Sequence, residues 1–260
     1  MEYELTQLNK SNSSGKKIQS LTRAMSILQC FYTDHDLSLA EISARVGLSK
    51  STAHGLISTL VYGGFLQQDK RTNRYSIGIE VFRLGQTYSR DVSEVIRPYL
   101  QMLAEEFQET ANYTILDGVD LVYIEKVESP KSSLRIATFR GQRRPLYCTA
   151  AGKAIMAYLP EPELAQILDS IVFRPITEKT ICSRERLVLE LMDIRKTSFA
   201  VDNEENELGV YCIASPVIDS SGLPIGAMSV SGPKVRVYGD RREQIISRLI
   251  SYSRKVSQKF

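Results

Sequence analysis

Apolar residues recur at Ile18, Leu21, Met25, Leu28 and Phe31/Tyr32, the three-and-four spacing that lines one face of a helix, so the pattern predicts a first helix over residues 18–32. A break at 33–37 follows. Ser38 and Glu41 then have the spacing of a capping box, in which each side chain satisfies the other residue's orphan amide, and this predicts a short helix over 39–46. Gly47 suits a left-handed helix end, and Ser49 suits the cap of the next helix. That helix turns Leu56, Ile57 and Leu60 inward and stops at Gly63-Gly64. Residues 65–69 and 74–77 alternate in the manner of strands around Lys70-Arg71-Thr72-Asn73, predicting a hairpin with a basic tip.

A helical pattern returns over 80–107, with a break expected near Pro98, a residue suited to the first turn of a new helix. Strands are predicted at 113–117 and 121–127 around Gly118, and at 134–139. A helix is predicted at 149–159, an amphipathic one at 187–197, a hairpin of 210–218 and 225–230 across Ser220-Ser221-Gly222, and a final helix at 241–259. Consecutive strands joined by short turns favour an antiparallel sheet flanked by helices, and an α+β chain overall. The organisation expected is a flexible leader at 1–17, a winged helix-turn-helix at 18–78, a linker helix at 79–91 and a larger domain at 92–260.

The chain has 260 residues, of which 43% are hydrophobic, enough for two modest cores. Its net charge of +3 is slight, so a case for nucleic acid rests on where the charge lies. Between Lys16 and Gly78 stand eight basic residues (Lys16, Lys17, Arg23, Arg45, Lys50, Lys70, Arg71, Arg74) against four acidic ones, an excess larger than that of the whole chain. Cys30, Cys148, Cys182 and Cys212 are scattered with no close pair and no partnering His, which fits neither a disulfide framework nor a zinc site and suits a reducing cytosol. No apolar leader and no stretch of membrane-spanning length is present, so a cytoplasmic protein without membrane contact is expected.

A helix fits the major groove of B-DNA, and its first turn presents free amides and short polar side chains to phosphates and base edges. Ser49, Lys50, Ser51 and Thr52 stand at such a helix start, with His54 one turn on. Lys70 and Arg71 at the hairpin tip are placed to reach backbone phosphates. Each residue alone is equally compatible with a cap or a solvated surface. The ordered set of three helices, glycine turn, polar helix start and basic hairpin points to double-stranded DNA.

The run 39–54 (LAEISARVGLSKSTAH), followed by Gly64-Phe65-Leu66 and Tyr75-Ser76-Ile77-Gly78, resembles the DNA-binding domain of the isocitrate lyase regulator (IclR) family. The resemblance continues through 145–154 (PLYCTAAGKA), 200–205 (AVDNEE), 208–217 (LGVYCIASPV) and 229–233 (SVSGP). It departs at Gly55, where those proteins usually carry Arg after the His; the glycine removes a side-chain contact and lowers helix propensity by ~1 kcal/mol relative to Ala. The resemblance implies a C-terminal GAF-like domain that responds to small organic acids or aromatic catabolites. It also implies effector contacts at Ala150, Ala151, Asp202, Cys212, Ser229 and Ser231.

The chemistry of these residues suits an anion pocket. Ala150 and Ala151 are small and open a helix, so a carboxylate can approach their amides. Ser229 and Ser231 lie two apart on one strand and so share a face. Cys212 supplies a soft wall, and Asp202 a partner for a ligand hydroxyl or amide. Arg144 and Ile136 are further candidates at its border. The bland alternatives are a buried apolar Cys212, a capping Asp202 and two packing serines. The only histidines, His35 and His54, lie in the N-terminal part, which removes Ser-His and Cys-His catalysis and common zinc sets from the larger domain. Gly152-Lys153 lacks the rest of a phosphate loop, and no cofactor or metal is expected. The expected protein is a non-enzymatic DNA-binding regulator, a homodimer or dimer of dimers on a palindromic operator, tuned by a small carboxylate. The rival reading is a ligand-independent DNA-binding scaffold controlled by protein partners.

Overall fold

The computed structural model describes residues 17–87, 90–129 and 138–260. They form two compact units that divide between Arg90 and Asp91.

In the first unit, helix α1 spans Gln19–Gln29 and passes into a 3-10 turn at Cys30–Tyr32. Helix α2, Leu39–Val46, begins at the expected capping box: Ser38 Oγ accepts from the Glu41 amide, and the Glu41 carboxylate accepts from the Ser38 amide at 2.7 Å. It ends at Gly47 with φ +64°, the left-handed conformation that glycine adopts without steric cost. Helix α3, Lys50–Tyr62, packs Ala53 and Ile57 into a core with Ile27, Phe31, Leu37, Ile42 and Leu66. Strands β1 (Leu66–Gln68) and β2 (Tyr75–Ile77) form the wing, with Gln68 opposite Tyr75. Leu37 bridges to Tyr75 and ties the wing to the chain before α2. Helix α4, Ile79–Thr87, follows.

In the second unit, a six-stranded antiparallel sheet runs β5-β4-β3-β8-β7-β6, with β3 Thr110–Asp117, β4 Asp120–Val127, β5 Arg143–Pro145, β6 Ala200–Asn203, β7 Val210–Ile218 and β8 Pro224–Pro233. Because side chains alternate across a strand, the sheet has two apolar faces. On one, Tyr113, Ile213, Met228 and Val230 meet α5 (Arg90–Phe107) and α10 (Asp240–Ser257). On the other, Ala200, Ala214 and Ala227 meet α6 (Ala150–Met156), behind which lie α7 (Glu161–Ser170) and α8 (Arg184–Thr197). A one-turn helix, α9 (Lys234–Val237), joins β8 to α10.

Pro98 does not start a helix; it lies inside α5. An interior proline forfeits a backbone hydrogen bond and costs ~3 kcal/mol. Ile96, Leu100 and Leu103, all fully buried, offset this at roughly 1.5–3 kcal/mol each. The strand expected at 134–139 falls largely on 130–137, outside the described residues, and Thr138 and Phe139 are not in a strand. Strand β5, which the sequence pattern did not suggest, pairs with β4 instead.

Candidate functional site

Two sites follow from this frame, one in each unit. In the first, Ser49 caps α3: its Oγ accepts from the Thr52 amide at 3.3 Å and lies 2.9 Å from Thr52 Oγ1 and 3.1 Å from Ser51 Oγ. The Ser49 hydroxyl is therefore engaged in holding the helix start, and Ser51 and Thr52 cluster around it. Lys50 and His54, one turn apart, are both exposed. Gly55 is exposed too, and a Cβ there would meet nothing within 4 Å.

The wing tip is ordered by Asp69, whose Oδ1 accepts from the Arg71 amide at 2.7 Å and the Thr72 amide at 3.3 Å. These bonds hold the Asp69 carboxyl below its usual range. Lys50, Lys70 and Arg71 are exposed and form no ion pair among the described residues. Two other cations counted toward the local charge are used internally. Arg45 pairs with Asp34 at 2.6 Å, and Arg74 with Asp36 at 2.8 Å and Glu41 at 3.0 Å. The positive surface is thus narrower than the count of basic residues suggests.

In the second unit, register brings four of the candidate residues together. Asp202 on β6 stands opposite Cys212 on β7, which stands opposite Ser231 on β8; Ser229 lies two residues back and faces Ala214. Direct register partners in an antiparallel sheet share a face. That face is the one covered by α6, whose first residues are Ala150 and Ala151. All six candidates line one cavity of ≈ 30 Å³. Arg144 and Tyr123 also line it, as do Asn206 and Glu207 from the loop after β6. Ile136 lies outside the described residues. The alternation at 121–127 could have pointed to Leu121 and Tyr123, whereas nothing local marks Asn206 or Glu207.

Local chemistry fixes the walls. Thr149 Oγ1 caps α6 by accepting from the Gly152 amide at 3.2 Å while donating to Pro145 O at 3.0 Å. Gly152 is required here, because a Cβ would lie 2.4 Å from Leu146 O. The Ala150 and Ala151 amides have no hydrogen-bond partner among the described residues. Asp202 is 2% exposed, and its Oδ1 accepts from the Glu205 amide at 2.7 Å and the Asn206 amide at 3.4 Å. Burial first, and the Glu205 charge second, push its carboxyl up to about 7 despite those amides. Burial also raises the Cys212 thiol, so it is a poor nucleophile at neutral pH. Asn112, opposite Ser229, reaches Ser231 Oγ with its Nδ2 at 3.5 Å, and its buried Oδ1 has no partner among the described residues. The arrangement offers hydroxyls, amides, a guanidinium and a carboxyl that is about half protonated at pH 7.

The sequence matches two family models: the IclR helix-turn-helix domain over residues 20–70 and the bacterial transcriptional regulator IclR C-terminal domain over 85–258. The HTH-type transcriptional regulator KdgR of Escherichia coli K12 is 34% identical over 242 residues, covering 92% of this chain and 92% of that protein. The transcriptional repressor IclR of the same organism is 30% identical, covering 93% of this chain and 89% of its own length. The crystal structure of Thermotoga maritima IclR superposes with a TM-score of 0.77 at 32% identity over 92% of this chain and 98% of that one. No helix among the described residues is long and apolar enough to cross a membrane.

Proposed function

The chain belongs to the IclR family of bacterial transcriptional regulators, and from that membership we propose that a small carboxylic acid, held in the pocket of the second unit, tunes its affinity for operator DNA. The observation that carries this reading is the row Asp202–Cys212–Ser231 with Ser229 beside it, facing the unpartnered amides of Ala150 and Ala151 across one cavity. In this reading the acid's carboxylate takes those amides and Arg144, and its hydroxyl or keto oxygen takes Ser229, Ser231 and the protonated form of the Asp202 carboxyl.

DNA is read by residues 18–78. Lys50 and His54 of α3 face the major groove, the Ser49–Ser51–Thr52 cluster fixes the helix start against a phosphate, and Lys70 and Arg71 of the wing take the backbone. Residues 79–91 serve as the linker, and residues 92–260 as the effector domain. The chain works in the cytoplasm as a homodimer or dimer of dimers, so that two heads meet two halves of a palindromic operator. The exposed Ile18, Leu21 and Met25, an apolar stripe along α1 and the residue before it, suit contact with a second copy. Ligand control then requires different ligand affinities in the DNA-competent and DNA-incompetent arrangements.

The test is binding to the DNA upstream of the protein's own gene, across a salt series, with and without a panel of small carboxylates and aromatic acids. Specific binding that weakens with a log-log slope of about −0.9 per neutralised phosphate, and that shifts with one acid, is the expected result. Binding that no acid shifts would overturn the sensor and favour the scaffold.

A further inference from the structure

The pocket of the proposed sensor is tight, ≈ 30 Å³, so the exchange of an acid with solvent is governed by the least fixed part of its wall. Most of the lining belongs to the sheet or to the start of α6, which are held by ladders of backbone bonds and by core packing. Outside those elements stand Thr138, whose carbonyl accepts from Lys126 Nζ of β4 at 2.6 Å, and the loop between β6 and β7, which contributes Asn206 and Glu207 to the wall. The backbone of this loop is bonded at its two ends, Glu204 N to Val210 O at 3.0 Å and Lys234 N to Gly209 O at 2.8 Å, rather than along a ladder.

We infer that the 204–209 loop is the door of the pocket and that Glu204, which does not line the cavity, is its latch, clamped by Lys179 and Lys234. The Glu204 carboxylate accepts from Lys234 Nζ at 2.5 Å and from Lys179 Nζ, and its other oxygen accepts from the Gly209 amide at 3.1 Å. Lys179 comes from the connection between α7 and α8, Lys234 is the first residue of α9, and Gly209 is the far end of the loop itself. One carboxylate thus closes the loop on itself and ties it to two segments distant in sequence. Glu204 holds φ +65°, a left-handed conformation that residues with a side chain seldom adopt unless their surroundings impose it.

A second set of bonds anchors the root of the loop. Thr177 Oγ1 donates to Glu204 O at 2.6 Å, Thr180 Oγ1 to Glu205 O at 2.7 Å, and the buried Lys153 Nζ to Glu205 Oε1 at 2.6 Å. Their partners are largely buried, so this set is protected from salt, whereas the Lys179 side chain of the latch is 46% exposed. The latch is the part that opens first: the loop pivots about Glu205 and swings Asn206 and Glu207 away from the cavity. Glu204 is a positioning residue, acting on a ligand through the wall it holds shut.

Cys212 lines the cavity and reports the door without any acid, because opening the pocket exposes more of its half-buried thiol to a reagent. Cys148, whose thiol donates to Asn206 Oδ1 at 3.9 Å, moves with the door and is no control for it. Amide exchange in α10, around the buried Leu249 on the other face of the sheet, reports unfolding. The full-length protein is pulsed with iodoacetamide, and peptide mass spectrometry follows Cys212 while hydrogen exchange follows α10. In Glu204→Gln, Cys212 is expected to react about tenfold faster at low salt with α10 exchange unchanged, and Lys179→Gln should fall between it and the wild type. Raising NaCl from about 0.1 to 1 M, which shortens the screening length from about 10 to 3 Å, should speed Cys212 in the wild type but not in Glu204→Gln. A purely structural role would accelerate Cys212 and α10 exchange together and show no such salt contrast. Equal Cys212 rates in wild type and both variants, a salt-independent wild-type rate, or parallel acceleration of α10 exchange would each overturn the latch. The assay contains no acid, so it succeeds or fails independently of whether an acid is the effector.

Discussion

Lys153 Nζ, with none of its side chain exposed, donates to Glu205 Oε1 at 2.6 Å, and the amide of that glutamate holds Asp202 at the pocket wall. The second glutamate oxygen, Oε2, has no hydrogen-bond partner among the described residues. One cation therefore compensates a buried carboxylate at the root of the pocket loop, with the half-buried Glu190 sharing it from α8.

Removal of that cation is expected to be costly. Lys153→Met leaves Glu205 as an uncompensated buried charge, a change that typically destabilises by about 3–5 kcal/mol. Burial already raises the Glu205 carboxyl, and the Lys153 charge is the main opposing influence. A carboxyl raised further favours the folded state only while protonated, so the loss should be larger at pH 8 than at pH 5.5. Urea unfolding at the two pH values checks this, and an equal loss at both would show that Lys153 acts by packing alone.

Asp202 gives a second pH dependence, isolated by a different variant. Its carboxyl, pushed up to about 7, contributes stability that is fully present below the unfolded value of about 3.9 and is lost as pH rises through 7. Asp202→Asn keeps an Oδ1 acceptor for the amides of Glu205 and Asn206 but cannot ionise. The charged groups around it, Glu205, Lys153 and Glu207, remain in both proteins. The melting temperature of Asp202→Asn should match that of the wild type at pH 5 and exceed it at pH 8. A wild type that is the more stable protein at pH 8 would mean that Asp202 is charged in the fold and held by its amides.

In the DNA-reading unit, Arg71 and Arg74 stand three residues apart and are expected to differ in kind. Arg71 is exposed without an ion pair among the described residues, so Arg71→Ala should leave the melting temperature in place and reduce the salt slope of DNA binding by about 0.9. Arg74 joins β2 to Asp36 and to the capping glutamate Glu41, so Arg74→Ala should lower the melting temperature and leave the slope nearly unchanged. Parallel measurement of melting and salt-dependent binding separates the two, and identical behaviour would refute the division.

That division also marks the limit of what the amino-acid pattern reveals. The Ser38–Glu41 box, the Gly47 turn and the helix stop at Gly63-Gly64 depend on residues within a few positions of one another, and all three are where the pattern places them. The pairing of Ser229 and Ser231 on one face follows from strand alternation alone. Their juxtaposition with Asp202 and Cys212 does not, because it depends on the order and register of three strands, and there the family resemblance supplied what periodicity lacked. The Arg74–Asp36 pair spans 38 positions and no local rule announces it. Pro98 misled for a related reason: its local preference for a helix start is outweighed by the apolar face of α5 packed on a sheet formed far along the chain.

Gly55 is the position where the head departs from the family pattern, and its surroundings make a sharp test. The residue lies in the middle of α3, where glycine costs ~1 kcal/mol relative to Ala, and a Cβ there meets nothing within 4 Å. Gly55→Ala should therefore raise the stability of the head by about that amount, with no repacking required. Its effect on DNA then identifies why the glycine is tolerated. If the position only lacks a contact, operator affinity and salt slope stay at wild-type values, and the added stability is the whole effect. If instead the glycine lets the α3 backbone approach the groove more closely than a side chain permits, the methyl group should weaken specific binding while the salt slope persists. Melting of the free protein and titration of the operator at fixed salt distinguish the two. A destabilised Gly55→Ala protein would contradict the open space around this residue.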